Sequence, residues 1–188
     1  VQARQARSER LMPVYMEPKQ ILRPVSSLWI TFTFLLAFTL NFIPWDNRVV
    51  TFQPDFIAML LIYWCIHQPG RIGVGIAFLV GIIMDIADAN VFGQHALAYV
   101  VVAFVAWQWR RRILMHTLLQ QSAHALVLLL LAQLTMVITR MLGGGPFIGL
   151  GYFVSSITGA LLWSTLSHML QAPQRQSVKA KYEATNAS

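Results

Sequence analysis

The stretch LLQQSAHALVLLLLAQLTMVITRM, residues 118–141, is the most uniformly apolar part of the chain, above all at Leu126–Leu131. Its one formally charged side chain is Arg140, close to its end. A hydrocarbon core about 30 Å thick takes roughly 20 helical residues to cross. Because this stretch is longer than that, the sequence predicts a transmembrane helix here.

Five further apolar stretches are each bounded by charged or turn-forming residues. In chain order, the second and third stretches, residues 56–66 and 72–86, are shorter than this length. They can cross the membrane only if polar ends such as Asp55 and Asp85 enter it, or as short helices. The pattern predicts an all-α polytopic membrane protein with six transmembrane helices. Their boundaries are Val25–Pro44, Phe56–Ile66, Ile72–Ile86, Phe92–Trp109, Leu118–Met141 and Phe147–Leu170.

Basic residues are distributed unevenly between the links that join these stretches. If all six cross the membrane, one side holds both tails and the links His67–Arg71 and Arg110–His116, and the other side keeps only Arg48 and Arg140. Basic residues beside spans stay cytoplasmic, so the sequence predicts that both termini are cytoplasmic. The basic residues on that side are Arg4, Arg7, Arg10, Lys19, Arg23, Arg71, Arg110, Arg111, Arg112, Arg175, Lys179 and Lys181.

Composition supports one membrane domain at residues 25–170. Hydrophobic residues make up 56% of the 188 residues and charged residues 11%, and the mean hydropathy is +0.57. This leaves little polar sequence for a soluble domain. The basic cytoplasmic tails, residues 1–24 and 171–188, are expected to lack regular structure or to lie on lipid headgroups.

Several function classes are disfavoured by the same residues. The formal charge of +7 lies beside span ends, where membrane topology and anionic lipid explain it, so nucleic-acid binding is not expected. The single cysteine, Cys65, excludes a disulfide framework and a cysteine metal site. The first stretch is too long for a cleaved signal peptide and lacks a cleavage pattern, so it is interpreted as a retained helix.

Two series of small residues have a spacing of four. Gly73, Ala77 and Gly81 form the first, in the third stretch, and the second lies in the sixth stretch. Such spacing places small side chains on one helix face and allows another backbone to approach closely. Packing within the bundle is the main expectation, and a docking face for a partner helix is the alternative. The second series is Gly151, Ser155 and Gly159.

No catalytic, cofactor or metal site is expected, because the usual motifs for such sites are absent. Asp85 and Asp88, three residues apart on one helix face, are the nearest approach to paired carboxylates, but they sit where the third stretch ends. Asp55 is expected to cap the second helix, and His95 to be a hydrogen-bonded structural group. Arg140 is expected either to extend to the far interface or to pair with Asp85 or Asp88.

An ordered series of residues and short motifs runs through residues 42–100. The series is Pro44-Trp45, Phe52-x-Pro54-Asp55, Tyr63-Trp64, Pro69-x-Arg71, Gly75, Phe78, Gly81, Asp85 and Gly93-Gln94-His95-Ala96-Leu97. This series resembles the MreD family of rod shape-determining membrane proteins. The resemblance implies a non-enzymatic inner-membrane component of the bacterial elongation machinery (the elongasome) that maintains rod shape and lateral wall peptidoglycan synthesis. It implies MreC as direct partner, and MreB, RodA and the elongation penicillin-binding transpeptidase as members of the same complex.

The family's fold is similar to the six-helix substrate-binding subunits of energy-coupling-factor transporters, which supplies the alternative function. A vitamin-type transporter subunit would need a polar, aromatic-lined pocket near the outer face, and the short outer links could cover only a small one. A membrane enzyme acting on lipid, a third class, has only Asp85 and Asp88 in its favour. A scaffold needs packing faces and little chemistry, which matches the sequence best.

Overall fold

The computed structural model describes residues 25–43, 50–88, 92–147 and 149–186, with backbone alone for residues 50 and 173–186. Within these ranges the chain forms six α-helices and no strand. They are α1 Ser27–Phe42, α2 Phe56–His67, α3 Val74–Asp88, α4 Gln94–Met115, α5 Leu118–Leu142 and α6 Val154–Asn186. Short 3₁₀ turns at Val50–Phe52 and Leu150–Phe153 precede α2 and α6.

The chain divides into two compact units. One comprises residues 25–172 and contains α1 to α5 and the first part of α6, and the other comprises residues 1–24 and 173–188. In the second unit the backbone of residues 173–186 continues α6, whereas the sequence predicts a tail that lacks regular structure or lies on lipid headgroups. The predictions for residues 1–24 and for Pro44-Trp45 lie outside the described residues.

Helix α2, the shortest, is the centre of the larger unit. Every residue from Ile57 to Ile66 is buried, and α2 contacts α1, α4 and α5. A helix that is apolar all round must be covered on every side. At 1.5 Å per residue its 12 residues span only about 18 Å. The second apolar stretch therefore forms a short helix in the core of the unit.

Besides the end of α6, which lies at Asn186 and not at Leu170, two predicted boundaries differ from the observed ones by more than two residues. Arg110–Arg112 was placed in a link, but α4 continues through these arginines to Met115, since arginine is a good helix former and no glycine or proline interrupts the segment. Thr117 then starts α5 with a capping box to Gln120. The sixth stretch was predicted from Phe147, but α6 starts at Val154, after the 3₁₀ turn.

Within the described residues, α5 is the one helix that is both long and apolar enough to cross a membrane by length and composition, with a mean hydropathy of 2.1. Helices α1 and α2 are apolar but shorter. The length and hydropathy of α5 agree with the prediction of a membrane-spanning helix at residues 118–141. Crossing by the other five helices stays a prediction.

Candidate functional site: a polar cleft at one end of the bundle

Five of the eight buried polar or charged residues that the structure describes lie toward one end of the larger unit, namely Asp85, Gln94, His95, Gln133 and Ser156. Here α1 ends, α2 begins, α3 ends and α4 begins, and the 3₁₀ turn before α6 closes the side. Between these elements lies an open cleft of about 300 Å³. Its lining residues are Asn41, Gln53, Pro54, Asp55, Met84, Asp88, His95, Gln133, Met136, Tyr152 and Ser155.

Asp55 caps the start of α2 and connects it to two other helices. Its carboxylate accepts a hydrogen bond from the Ala58 backbone N–H at 2.9 Å, as the N-cap prediction requires. The same carboxylate accepts from the Tyr99 hydroxyl at 2.8 Å and from Asn41 Nδ2 at 3.4 Å. Asp55 therefore fixes α1, α2 and α4 relative to one another at this end.

Asp85 caps the start of α4 from the end of α3, and its side chain is fully buried. Its Oδ2 accepts from the backbone N–H groups of Gly93, at 2.9 Å, and Ala96, at 3.1 Å. Its Oδ1 accepts from the His95 backbone N–H at 2.8 Å. Gly93 has a φ of 94°, a left-handed conformation that favours glycine, and this turn directs the N–H groups at the carboxylate. The carboxylate thus satisfies the otherwise unpaired donors of a helix start.

The imidazole of His95 lies between two carboxylates. Nδ1 is 2.9 Å from Asp85 Oδ1, and Nε2 is 3.4 Å from Asp88 Oδ2. An ionised carboxylate can only accept, so Nδ1 carries a proton toward Asp85. The carboxylates that the sequence placed on one helix face are joined through this histidine. The Asp88 side chain is 33% exposed.

Gln133 connects α5 to the start of α6. Its Nε2 donates to the Tyr152 carbonyl oxygen at 3.1 Å and to the Ser155 hydroxyl, and its Oε1 accepts from the Ser156 hydroxyl. Both N–H donors of this buried amide are therefore used inside the protein, and its oxygen accepts one hydrogen bond. Sequence analysis did not single out Gln133, although an amide in the most apolar stretch of the chain was a signal that could have found it.

The two series of small residues meet different surroundings. A β-carbon placed on Gly81 would lie 2.4 Å from Ala96 Cα, so α3 and the start of α4 touch backbone to backbone there. A β-carbon on Gly159 would lie 2.8 Å from Leu129 Cδ1. Gly73 has open space, and Gly151 has ordinary contact with Thr51. Both close approaches are to helices of the same unit.

Arginines fix the opposite end of the unit. Arg71 donates to the Val25 carbonyl oxygen and to Ser27 Oγ, and Arg110 donates to the Ile66 carbonyl oxygen at 3.1 Å. These bonds satisfy backbone groups near the start of α1 and the end of α2. The larger unit consequently has an acidic end with Asp55, Asp85 and Asp88, and a basic end.

Arg140 does not form the carboxylate pair that was one of its two expected roles. Among the described residues, ion pairs join only His95 to Asp85 and Asp88, and Arg140 Nε is buried without a hydrogen-bond partner. The arginine side chain instead lies against Gly145. A β-carbon placed on Gly145 would be 2.8 Å from Arg140 Cγ.

The arrangement offers binding groups but little reaction chemistry. In the described ranges no group of three or more His, Cys, Asp or Glu side chains could hold a metal ion. Asp55 and Asp85 accept three or more hydrogen bonds each, which holds them in place as structural acceptors. The groups that the cleft offers to a ligand are the side of the Asp88 carboxylate that His95 does not contact and several neutral polar groups.

The described residues form a helical bundle with a polar network at one end, and one of its helices is long and apolar enough to cross a membrane. The family model described as rod shape-determining protein MreD matches residues 23–175, and the chain belongs to this family. A curated relative, rod shape-determining protein MreD of Haemophilus influenzae, is 31% identical over 64 residues. That alignment covers 34% of this chain and 40% of the relative. No solved structure shows a significant match.

Proposed function

We propose that this protein is a multi-pass inner-membrane scaffold and regulator of the bacterial elongation machinery. It binds MreC directly and, through the complex, cooperates with MreB, RodA and the elongation transpeptidase to maintain rod shape and lateral wall peptidoglycan synthesis. It catalyses no reaction. The observation that carries this proposal is the family match over most of the chain.

The hydrogen-bond pattern supports a scaffold over an enzyme. Asp85 and Gln133, which are buried, and Asp55, which is half-buried, hold helix ends together, and most of their hydrogen-bonding capacity is used there. A lipid-directed enzyme would need such groups free to donate, accept or attack. Rigid helix ends suit a protein whose task is to present fixed surfaces to partners.

The charge separation between the two ends of the larger unit supports the proposed topology. Arg71 and Arg110 lie at the basic end, and Asp55 and Asp88 lie at the acidic end. Since basic residues remain in the cytoplasm, the acidic end and its cleft face the periplasm. Both termini are then cytoplasmic, with six spans.

Topology is tested by labelling single cysteines in a Cys65→Ser background, which removes the one native thiol. Positions 48, 89 and 144 should react with an impermeant reagent in intact spheroplasts. Positions 112 and 180 should react only after the membrane is opened. Labelling of position 112 from outside would contradict the six-span arrangement.

Partner binding is tested by affinity purification from the native membrane, followed by site-specific photo-crosslinking. MreC and the cell-wall synthases should be recovered with the tagged protein. A crosslinker replaces Phe78 on α3, Phe104 on α4 or Leu161 on α6, all exposed, with Trp163, fully buried, as the matched negative control. An MreC adduct at one exposed position identifies the docking helix. If none of these sites yields an adduct and MreC is not recovered, direct binding is wrong.

A small-molecule-binding membrane subunit of the vitamin-transporter type is the second candidate. The cleft favours it, because a polar cavity near the proposed outer face is what such a subunit needs. Growth and shape of a deletion strain separate the candidates. Loss of rod form on a rich medium supports the scaffold, whereas a requirement for one nutrient with normal shape supports the transporter subunit.

A further inference from the structure

The polar cleft has the dimensions and composition of a ligand site. At about 300 Å³ it falls at the lower end of the range of roughly 300–1,000 Å³ found for small-molecule pockets. Segments from five helices and two connecting turns contribute to its wall. Of its lining residues, two are carboxylates, Asp55 and Asp88, and none is Lys or Arg.

The hydrogen-bonding capacity that remains in this wall is mainly that of acceptors. Gln53 Nε2 donates to the Leu40 and Asn41 carbonyl oxygens, and no group in the described part of the chain donates to its Oε1. The Tyr152 hydroxyl donates to the Met136 sulfur at 3.3 Å and keeps its lone pairs. Among the described residues, the only charged or polar partner of the Asp88 carboxylate is His95, at 3.4 Å.

An acceptor-rich, negatively charged cavity is complementary to a cationic donor. A primary ammonium has three N–H donors and a guanidinium has five, and neither can accept. A bare metal ion fits less well, since no described cluster supplies three ligand side chains. A cavity of this size holds the charged group together with a short apolar stem, which Met84 and Met136 can contact.

We propose that the cleft binds a primary ammonium or guanidinium group, with Asp88 as its counter-ion and Gln53 and Tyr152 as hydrogen-bond acceptors. The group is carried either by a small amine or by the side chain of a lysine or arginine. Asp55 contributes negative potential from the wall, while its own oxygens stay bonded to α2 and α4. This site does not depend on binding to MreC and is tested without it.

The test uses the full-length protein in phosphatidylcholine nanodiscs, whose lipid has no net charge and so does not itself attract cations. Saturation-transfer NMR measures binding of n-butylammonium, with n-butanol as the uncharged probe of equal length. We expect transfer to n-butylammonium at millimolar concentration or below, and at least tenfold weaker binding of n-butanol. Asp88→Asn should weaken n-butylammonium binding at least tenfold, and Asp88→Glu should retain most of it.

Glu183→Gln, in the other compact unit, removes the same charge and should leave binding unchanged. Thermal unfolding checks that each variant is folded. The source of the cation is distinguished with N-acetyl-lysine amide: tenfold tighter binding than n-butylammonium indicates a protein side chain, and equal or weaker binding indicates a free amine. The proposal is overturned by equal binding of n-butanol, by Asp88→Asn binding as the wild type does, or by no transfer to n-butylammonium.

Discussion

Two helix contacts contain a series of small residues spaced by four, yet they differ in how closely the helices approach. One contact joins α3 and α4, and the other joins α5 and α6. At the first, Gly81 lies directly against the backbone of Ala96, and a carboxylate one turn later, Asp85, holds the same helix start. At the second, Gly159 faces the end of a flexible side chain, Leu129, and an amide, Gln133, makes the polar connection. Spacing of small residues predicts a face, but the residues opposite decide how close the helices come.

The two contacts differ because the atoms opposite the glycine are backbone atoms in one and a flexible side chain in the other. Backbone atoms of a capped helix start cannot shift without breaking the hydrogen bonds to Asp85. A leucine methyl group can move by rotating a side-chain bond. We therefore expect the contact between α3 and α4 to tolerate no added atom, and the contact between α5 and α6 to adapt. The following changes test this, from the largest expected effect to the smallest.

Gly81→Ala should have the largest effect. The added methyl would lie 2.4 Å from Ala96 Cα and 2.6 Å from its nitrogen, so α3 and α4 must separate. Overpacking of this kind costs typically about 1–3 kcal/mol, and we expect a value at or above the upper end because backbone is involved. Denaturant or thermal unfolding in detergent measures the change in the free energy of unfolding.

Gly75→Ala in the same helix is the matched control, since a β-carbon there has nothing within 4 Å. It should leave stability equal or raise it by up to about 1 kcal/mol, because alanine favours helix over glycine. Equal effects of the two substitutions would mean that helix propensity, and not the close approach, determines the result at Gly81.

Replacements of Asp85 should have the next largest effect. Asn keeps the shape of the side chain, but both carboxylate oxygens of Asp85 accept from N–H groups, so the Asn amide nitrogen would face donors. Leaving buried donors unpaired costs about 1–3 kcal/mol, so Asp85→Asn should destabilise and Asp85→Leu should do so more.

Cell shape after chromosomal replacement separates a structural Asp85 from a chemical one. A structural role predicts that loss of rod form follows protein stability and is milder for Asn than for Leu. Complete loss of rod form by Asp85→Asn, in protein that unfolds like the wild type and still binds MreC, would show that the charge itself has a function.

Gln133→Leu tests the polar part of the contact between α5 and α6. It removes hydrogen bonds to the Tyr152 carbonyl oxygen and to the hydroxyls of Ser155 and Ser156. Hydrogen bonds between membrane helices contribute about 0.6 kcal/mol on average and at most about 1.7, so we expect a total loss of about 1–2 kcal/mol. Leu134→Ala, at an exposed position of α5, should cost much less in the same unfolding measurement. A loss at Gln133 no larger than at Leu134 would mean that this network contributes little.

The sequence predicted where the helices exist, because hydrophobicity and helix-breaking residues are local, but it missed the extension of α4 to Met115 and the start of α6 at Val154. The N-cap at Asp55 was predictable for the same reason, and the structure confirms it. The connection of Asp85 to the start of α4 was not predictable from the sequence, because it depends on how two helices pack after the turn at Gly93. The cleft was missed because Asn41, Gln53 and Gln133 lie far apart in sequence and only folding brings them together.

Gly159→Ala should have the smallest effect of the substitutions at close contacts. The new methyl would meet Leu129 Cδ1 at 2.8 Å and the Met59 sulfur at 3.4 Å, both ends of flexible side chains. The strain of displacing them is opposed by the helix preference of alanine over glycine, about 1 kcal/mol, so the net change in unfolding free energy should lie within about 1 kcal/mol of zero. A loss as large as that of Gly81→Ala would show that Leu129 is as immobile as backbone. In that case the two contacts would be equally rigid, and the contrast between them would lie only in their polar partners.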